Sequence, residues 1–147
     1  MGALIGTSVL IDTSVLIDAE RGRLDLATHV ARRPDDDAFL SVVTASELLH
    51  GVHRAATSAQ RARRSAFVEG LLQRFPVLDI DLATARAHAR VWADLAAAGT
   101  RVGPNDLWLS AAAIAHGLTL VTTSLREFEQ VPGLVVEGWG PVDDGGH

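Results

Sequence analysis

The sequence predicts an α/β domain in which a mostly parallel, doubly wound sheet of four to five strands lies between layers of helices. Short apolar runs alternate with longer segments whose apolar residues recur at helical spacing. The chain has 147 residues, 48% of them hydrophobic, which suffices for one sizeable core. A hexapeptide, Thr-Ser-Val-Leu-Ile-Asp, occurs at 7–12 and again at 13–18. We expect one domain over residues 1–142 and a disordered tail over residues 143–147.

The two copies of the hexapeptide are predicted to fold differently. The first is a short apolar, partly β-branched run, typical of a strand buried on both faces. The second continues through residues 19–21 and stops at Gly22, as a helix that ends in glycine does. Asp12 then follows the strand, whereas Asp18 lies within the helix. Because ligands bind beyond the carboxyl ends of the strands in an open α/β sheet, Asp12 is the candidate for chemistry.

The other elements follow from apolar periodicity and from the residues that start and stop helices. In chain order, the pattern predicts a strand at Ser8–Ile11, helices at Val15–Arg21 and Leu24–Arg33, a strand at Ala38–Val43, a helix starting at Thr44, a helix at Ser58–Arg74, a strand at Val77–Ile80, a long helix capped by Asp81 and closed by Gly99, a helix from Pro104 to His116, and strands at Leu118–Thr122 and Leu134–Glu137. The spacing in the long helix predicts a core-facing stripe of Ala85, Ala89, Trp92 and Ala96.

Composition excludes several classes of site. The chain has no cysteine, so disulfides and thiolate metal sites are excluded, as expected for the reducing cytoplasm. All 13 basic residues are Arg, which excludes mechanisms that need a lysine. Asp12 interrupts the apolar N-terminus too early for a signal or spanning helix, so no membrane segment is expected. The net charge of −5 argues against broad nucleic-acid affinity, although Arg retains its bidentate geometry for phosphate.

Three acids are predicted to meet at one edge of the sheet. Asp12 follows the first strand, Glu47 lies in the first turn of the helix after the second strand, and Asp106 lies in the first turn of the helix before the fourth strand. Each has a structural alternative: an N-cap at Asp12, a capping box of Thr44 with Glu47, and a favourable helix-dipole interaction at Asp106. The expected meeting of the three acids at one edge favours a functional role over these alternatives. Clustered carboxylates repel one another, and without a nearby lysine they need a divalent cation to neutralise their charge. Oxygen ligands select Mg²⁺ or Mn²⁺, which can activate water for attack on a phosphodiester.

Five segments carry a family resemblance. They are Leu10-Ile11-Asp12-Thr13-Ser14, Ser46-Glu47-Leu48-Leu49-x-Gly51, Gly103-Pro104-Asn105-Asp106-Leu107-Trp108-x-x-Ala111, Gly117-Leu118-Thr119-Leu120-Val121-Thr122, and Phe128 with Val131-Pro132-Gly133-Leu134. In order and spacing, they resemble the PIN-domain ribonucleases of the VapC toxin type, over nearly the whole chain. The resemblance implies a compact three-layer α/β/α domain, usually a homodimer, that cleaves RNA with Mg²⁺ or Mn²⁺. It also implies tRNA or rRNA as substrate and inhibition by a cognate VapB-like antitoxin.

Carried over by position, the resemblance makes Asp12, Glu47 and Asp106 the metal-binding and catalytic acids. Their supporting residues are Ser14, Thr122 and Asn105. The chain departs from the family pattern after the fourth strand, where Ser124 stands at a position that is commonly Asp or Asn. Either one ion suffices, or Ser124 binds a second ion through water, or Glu127 folds back towards the site. We favour one tightly held ion, with any second ion arriving with the RNA.

Several rival interpretations remain. Glu47 and His50 match a Glu-x-x-His pattern, but a zinc site needs three or four protein ligands, and a carboxylate-bridged di-metal bundle needs the motif twice. A phosphatase with Asp12 as nucleophile would need an Asp-x-Asp pattern, which is absent. A PIN-like module that binds RNA or antitoxin with little or no catalysis, and a DNA-cleaving member of the same superfamily, stay open. The three tryptophans are predicted to pack rather than to stack on bases, and Trp108 is the one to test for RNA contact.

Overall fold

The computed structural model describes residues 8–140, and these residues confirm the α/β class. The elements in chain order are β1 (Val9–Ile11), α1 (Thr13–Glu20), α2 (Leu26–Ala31), β2 (Ala38–Ser41), α3 (Val42–His53), α4 (Ser58–Arg74), β3 (Val77–Leu78), α5 (Leu82–Ala97), α6 (Pro104–His116), β4 (Thr119–Thr122), α7 (Leu125–Phe128) and β5 (Val136–Gly138). Within this range, the strands form one parallel sheet in the order β3-β2-β1-β4-β5. The expected tail at 143–147 lies outside the described residues, and the single domain over residues 1–142 stays a prediction.

The central strand, β1, is buried on both faces, as its apolar sequence predicts. Val9 and Ile11 pack on one face of the sheet in a cluster with residues of α1, α3 and α4. Leu10 points to the other face, where it packs with residues of α6 and β4. Side chains alternate along a strand, so helices must cover both faces of this sheet to bury them. The result is the predicted arrangement of helix, sheet and helix layers.

The boundary between β2 and α3 differs from the prediction. The strand ends at Ser41, whose side chain accepts a hydrogen bond from the amide of Val43 and so caps α3. The helix therefore begins at Val42 rather than at Thr44, and Glu47 lies in its second turn rather than its first. Thr44 is fully buried within the helix. Ser41, which stands before two valines, is the cap of this helix. The structural alternative for Glu47, a capping box with Thr44, is therefore wrong.

The core-facing stripe predicted for α5 is also wrong. The buried residues of this helix are Thr84, Ala87, Val91 and Leu95. Trp92 lies next to that face and is 61% exposed. The alanines at helical spacing gave a false stripe, because alanine is small enough to occupy either face of a helix. The N-cap was predicted correctly, since Asp81 accepts from the amide of Thr84.

The helix α6 confirms its predicted bounds. Pro104 occupies the first turn, where its missing N–H costs nothing. Gly117 ends the helix with φ of 66°, a left-handed conformation that glycine adopts without steric cost. All five strands and the helix α2 are shorter than predicted, and α1 starts two residues earlier. The strand β5 starts two residues later and ends one residue later than predicted. Among residues 8–140, no helix is both long and apolar enough to cross a membrane.

Candidate active site

The site lies at the carboxyl edge of the two central strands. The strands β1 and β4 are paired in register up to Ile11 and Val121, and the amide of Asp12 donates to the carbonyl of Val121 at 2.9 Å. Asp12 therefore stands immediately beyond the end of β1, as the sequence predicts. Thr122 ends β4 beside it. The sheet register fixes these two residues against each other, so the site does not depend on a flexible loop.

Asp12 is 5% exposed and is held by two hydroxyl groups. Its Oδ2 accepts from Ser14 Oγ at 2.7 Å and from Thr122 Oγ1 at 2.8 Å. Asp12 occupies the N-cap position of α1 but makes no side-chain capping hydrogen bond. The predicted N-cap position of Asp12 is therefore correct, but its side chain does not cap the helix, and the predicted support from Ser14 and Thr122 is present. Because both hydrogen bonds fall on Oδ2, the Oδ1 atom keeps its lone pairs for another ligand.

Glu47 is fixed by residues from two other elements. Its Oε1 accepts from Thr13 Oγ1 at 2.6 Å, and its Oε2 accepts from Asn105 Nδ2 at 3.1 Å. The Thr13 hydroxyl also lies 3.0 Å from the hydroxyl of the buried Thr44. Hydrogen bonds to an ionised carboxylate are short and strong, so these contacts fix the side chain of Glu47 in one orientation.

Asp106 is the acid whose ionisation the neighbouring carboxylates oppose most clearly. It lies in the first turn of α6, and its pKa is raised to about 7 by burial and by the nearby charges of Asp12, Glu127 and Glu47. Each like charge within several ångströms disfavours ionisation, and partial burial adds to this effect. The raised pKa of Asp106 thus reflects the proximity of Asp12 and Glu47, the other two predicted acids.

Glu127 and Ser124 follow β4, where the chain departs from the family pattern. Glu127 lies on the short helix α7, and a hydrogen bond between its carboxyl and that of Asp106 contributes to the raised pKa of Asp106. Ser124 donates its backbone N–H to Thr122 Oγ1 at 2.9 Å. Glu127 therefore adds a fourth acid to the edge, and the backbone of Ser124 helps to orient the hydroxyl that holds Asp12. A role for the Ser124 side chain stays a prediction.

Thr13 is the residue that sequence reasoning missed. It holds Glu47 across 34 positions of sequence. Its position directly after Asp12 was a weak indication of a role, because the first residue of a helix that follows a strand lies close to the carboxyl edge of the sheet. Its partner could not be identified from the sequence, since the packing of α3 against α1 decides which acid it meets.

The carboxylates of the site can supply some, but not all, of the ligands of a Mg²⁺ or Mn²⁺ ion. Within residues 8–140, no three acidic or histidine side chains lie close enough together to hold one ion as they stand. Mg²⁺ is commonly held by one or two carboxylates, with water and substrate phosphates completing its shell, so Asp12 with Asp106 fits this mode. The same finding leaves Glu47 and His50 without a third ligand in the described region, which counts against the zinc interpretation.

The tryptophans divide into two groups. Trp139 is 3% exposed, donates to Glu137 at 2.7 Å and stacks on His29, so it packs as predicted. Trp108 is half-buried and stacks on His88 with ring centroids 3.6 Å apart. Trp92 makes an edge contact with the same histidine, and its exposure contradicts a packing role.

The comparisons with known proteins agree with the geometry. A family model described as the PIN domain matches residues 9–134. The chain is 41% identical over 131 residues to ribonuclease VapC4 of Mycobacterium tuberculosis, covering 86% of this chain and 93% of that relative. It is 40% identical over 100 residues to the tRNA(fMet)-specific endonuclease VapC of Salmonella typhimurium, covering 68% and 74% of the two chains. The crystal structure of DNA-bound VapBC from Salmonella typhimurium resembles it with a TM-score of 0.82 and 31% identity, covering 90% of this chain and 98% of that chain.

Proposed function

The chain belongs to the PIN-domain family and to its VapC ribonucleases, and on that premise we propose that it is a Mg²⁺- or Mn²⁺-dependent endoribonuclease, the toxin of a toxin–antitoxin pair. The observation that carries the proposal is the meeting of Asp12, Glu47 and Asp106 from three separate elements, which the raised pKa of Asp106 reflects. Such a set of acids in a nuclease fold supports hydrolysis of phosphodiester bonds.

Asp12 and Asp106 are the pair that would hold the cation. After burial, the charge of Asp12 is the strongest cause of the raised pKa of Asp106, so these two carboxylates share one region of space. When bound there, the cation supplies an activated water and offsets charge on the scissile phosphate. Hydrogen bonds from Ser14 and Thr122 fix the orientation of the Asp12 carboxylate. Hydrogen bonds from Thr13 and Asn105 hold the Glu47 carboxylate near Asp12 and Asp106.

One tightly held ion fits this arrangement better than two. Ser124 supports the site through its backbone N–H, which donates to Thr122. Its side chain supplies a neutral hydroxyl in place of a carboxylate, which is a weaker ligand for a second cation. Glu127 shares a hydrogen bond with Asp106 and is exposed, so it can turn towards a second ion that arrives with the RNA.

The partners follow from the relatives. A relative is named as a tRNA(fMet)-specific endonuclease, and the similar crystal structure is that of a VapBC complex. We therefore propose structured RNA, tRNA first and rRNA second, as the substrate of this chain. We also propose inhibition by a VapB-like antitoxin, and a homodimer as the active form. The protein would act in the cytoplasm, where RNA and antitoxin meet.

The test is metal-dependent cleavage of tRNA and rRNA by the purified chain. We expect cleavage with Mn²⁺ or Mg²⁺, none with EDTA, and recovery when Mn²⁺ is restored. Asp106→Asn should lose cleavage and should also lose the Mn²⁺ site that calorimetry detects in the wild type. Glu129→Gln is a matched control, because Glu129 is an exposed acid just after α7 that makes no contact with the site.

Three results would overturn the proposal. Cleavage that persists in EDTA would mean that no cation takes part. A folded wild-type chain that binds RNA or antitoxin but cleaves no RNA, with Mn²⁺ binding unchanged in Asp106→Asn, would identify a binding module instead. Cleavage of single-stranded DNA in preference to RNA would assign the chain to the DNA-cleaving alternative.

A further inference from the structure

A groove lies beside the acidic edge, between the C-terminal half of α5 and the start of α6. Its lining includes Trp92, Leu95, Arg101, Val102, Gly103 and Leu107, and we call it the Trp92 groove. Its volume is about 590 Å³, which lies within the range of pockets that bind compact organic ligands. None of the residues assigned to the acidic site lines it.

The aromatic residue that names the groove is exposed and contacts a neighbouring ring. The Trp92 ring is 61% exposed and meets the edge of His88, with centroids 5.7 Å apart. His88 in turn stacks on Trp108, and burial lowers the pKa of His88. The neutral imidazole therefore contacts both indoles. The exposed face of the Trp92 indole is available to stack on another flat ring.

The groove approaches the acidic site at Gly103. This glycine lines the groove, and a methyl group placed on it would lie 3.8 Å from Asp106 Oδ2. A ligand in the groove would thus reach the carboxylate that is proposed to hold the cation. Arg101 also lines the groove and is exposed, so it supplies a positive charge close to Trp92.

We propose that the Trp92 groove binds one nucleotide of single-stranded RNA next to the phosphodiester that is cleaved, with its base stacked on Trp92 and its phosphate paired with Arg101. The inference rests on the proposed function, since the acidic site positions the reacting phosphate. Stacking on an aromatic ring accepts any base, because every base has a π face. Arg101 can bind a phosphate in the bidentate manner of a guanidinium group. The groove thereby supplies affinity for unpaired RNA without defining a sequence.

A second copy of the chain is the other occupant to consider. The core of a protein interface is depleted of charge and combines several large apolar side chains. Among the large hydrophobic residues that are exposed in residues 8–140, Trp92 alone lines this groove, and it shares the groove with Arg101. One aromatic ring beside one arginine matches the base and phosphate of a nucleotide better than it matches a copy of itself.

The experiment compares Trp92→Ala and Trp92→Phe in the full chain. Steady-state cleavage of transcribed tRNA with Mn²⁺ gives KM and kcat, and fluorescence anisotropy of a labelled oligouridine in EDTA gives Kd without cleavage. Leu82→Ala is the matched control, because Leu82 is an equally exposed apolar residue of the same helix outside the groove. Sedimentation velocity of each variant reports the oligomeric state.

We expect Trp92→Ala to raise KM and Kd by roughly 10-fold or more, the effect of losing one base–aromatic stack. Its kcat should stay within about twofold of wild type, because the ring binds RNA without acting on the scissile bond. Trp92→Phe should recover most of the affinity, and Leu82→Ala should behave as wild type. Arg101→Gln should reduce the salt dependence of Kd, whereas Arg90→Gln, on another face of α5, should not.

Two outcomes would overturn the proposed nucleotide site in the groove, and a third would overturn only the proposed activity. One is a Trp92→Ala variant with wild-type KM and Kd, which would leave the nuclease activity standing. Another is a Trp92→Ala variant with wild-type Kd for oligouridine and a smaller sedimenting mass, which would assign the face to a second copy. If the wild type cleaves no RNA but its oligouridine affinity depends on Trp92, the proposed activity fails and the groove stands.

Discussion

The two copies of the hexapeptide contain the same residues and have different structures. The first provides β1, in which every residue is at most 2% exposed. The second provides most of α1, in which Val15 and Leu16 are buried, but Ile17 and Asp18 are only partly so. A strand covered on both faces buries all its side chains, whereas a helix buries only the side that faces the sheet. The position of a segment in the fold, rather than its composition, sets the environment of each residue.

The same contrast separates the two aspartates. Asp12 stands at the end of the central strand, where hydroxyls from α1 and β4 reach its carboxylate. Asp18 lies inside α1, away from the carboxyl edge, and makes no side-chain hydrogen bond in the described residues. Identical local sequence thus gives one residue with the surroundings of a catalytic acid and one without them.

The largest difference between the two copies should appear in RNA cleavage. Asp12→Asn keeps the shape of the side chain but removes the charge, so we expect cleavage of tRNA with Mn²⁺ to fall by at least about 100-fold. Asp18→Asn makes the same chemical change in the second copy and should stay within about twofold of wild type. Circular dichroism of both variants checks that they fold. Equal losses in the two variants would remove the distinction on which the site assignment depends.

The copies should also differ in their contribution to stability. Ile11→Ala removes a fully buried side chain and should lower the free energy of unfolding by about 2–5 kcal/mol. Ile17→Ala deletes the same atoms from a half-buried position and should cost roughly half as much, because less apolar surface is lost. Urea unfolding of both variants, compared with wild type, measures the difference. A larger cost for Ile17→Ala would contradict the burial described for β1.

A smaller effect is expected at Thr13, which begins the second copy and holds Glu47. Thr13→Val preserves the shape of the side chain but removes the hydroxyl, so Glu47 loses its 2.6 Å hydrogen bond. We expect kcat to fall by about 10-fold, equivalent to one lost hydrogen bond to a charged group. Thr13→Ser should restore most of the activity, which a purely steric role would not allow. Unchanged kcat in Thr13→Val would show that Asn105 alone positions Glu47.

The sequence predicted the parts of the fold that local chemistry controls. The bounds of α6 followed from Pro104 and Gly117, and the start of α5 followed from Asp81. The convergence of the three acids followed from topology, because the ends of parallel strands and the starts of the adjoining helices lie at one edge of a sheet. These features need only short-range rules and the order of the elements.

What the sequence did not predict depends on packing between distant elements. Alanine-rich stretches carry little information about which helix face is buried, so the face of α5 was assigned wrongly and Trp92 was placed in the core. The pairing of Thr13 with Glu47 and the approach of Glu127 to Asp106 require the relative placement of helices. No local pattern specifies such placement, although it determines the electrostatics of the site.

The smallest expected effect is the pH dependence of the stability of the metal-free protein. It tests the repulsion between the carboxylates around Asp12, the last residue of the first copy. Burial and the charges of Asp12, Glu127 and Glu47 raise the pKa of Asp106 to about 7 from an ordinary value of 3.8. Between these values the folded state binds a proton that the unfolded state releases, so the contribution of Asp106 to stability declines as pH rises and is lost above about 7. In EDTA, the Tm of wild type should therefore fall by a few degrees between about pH 5 and pH 8, relative to Asp106→Asn. Asp18→Asn should show the same fall of Tm with pH as the wild type.

Mn²⁺ should raise the wild-type Tm most at the upper end of this range, where the carboxylates are ionised. Parallel Tm profiles for wild type and Asp106→Asn would mean that the acids around Asp12 do not repel one another enough to require a cation.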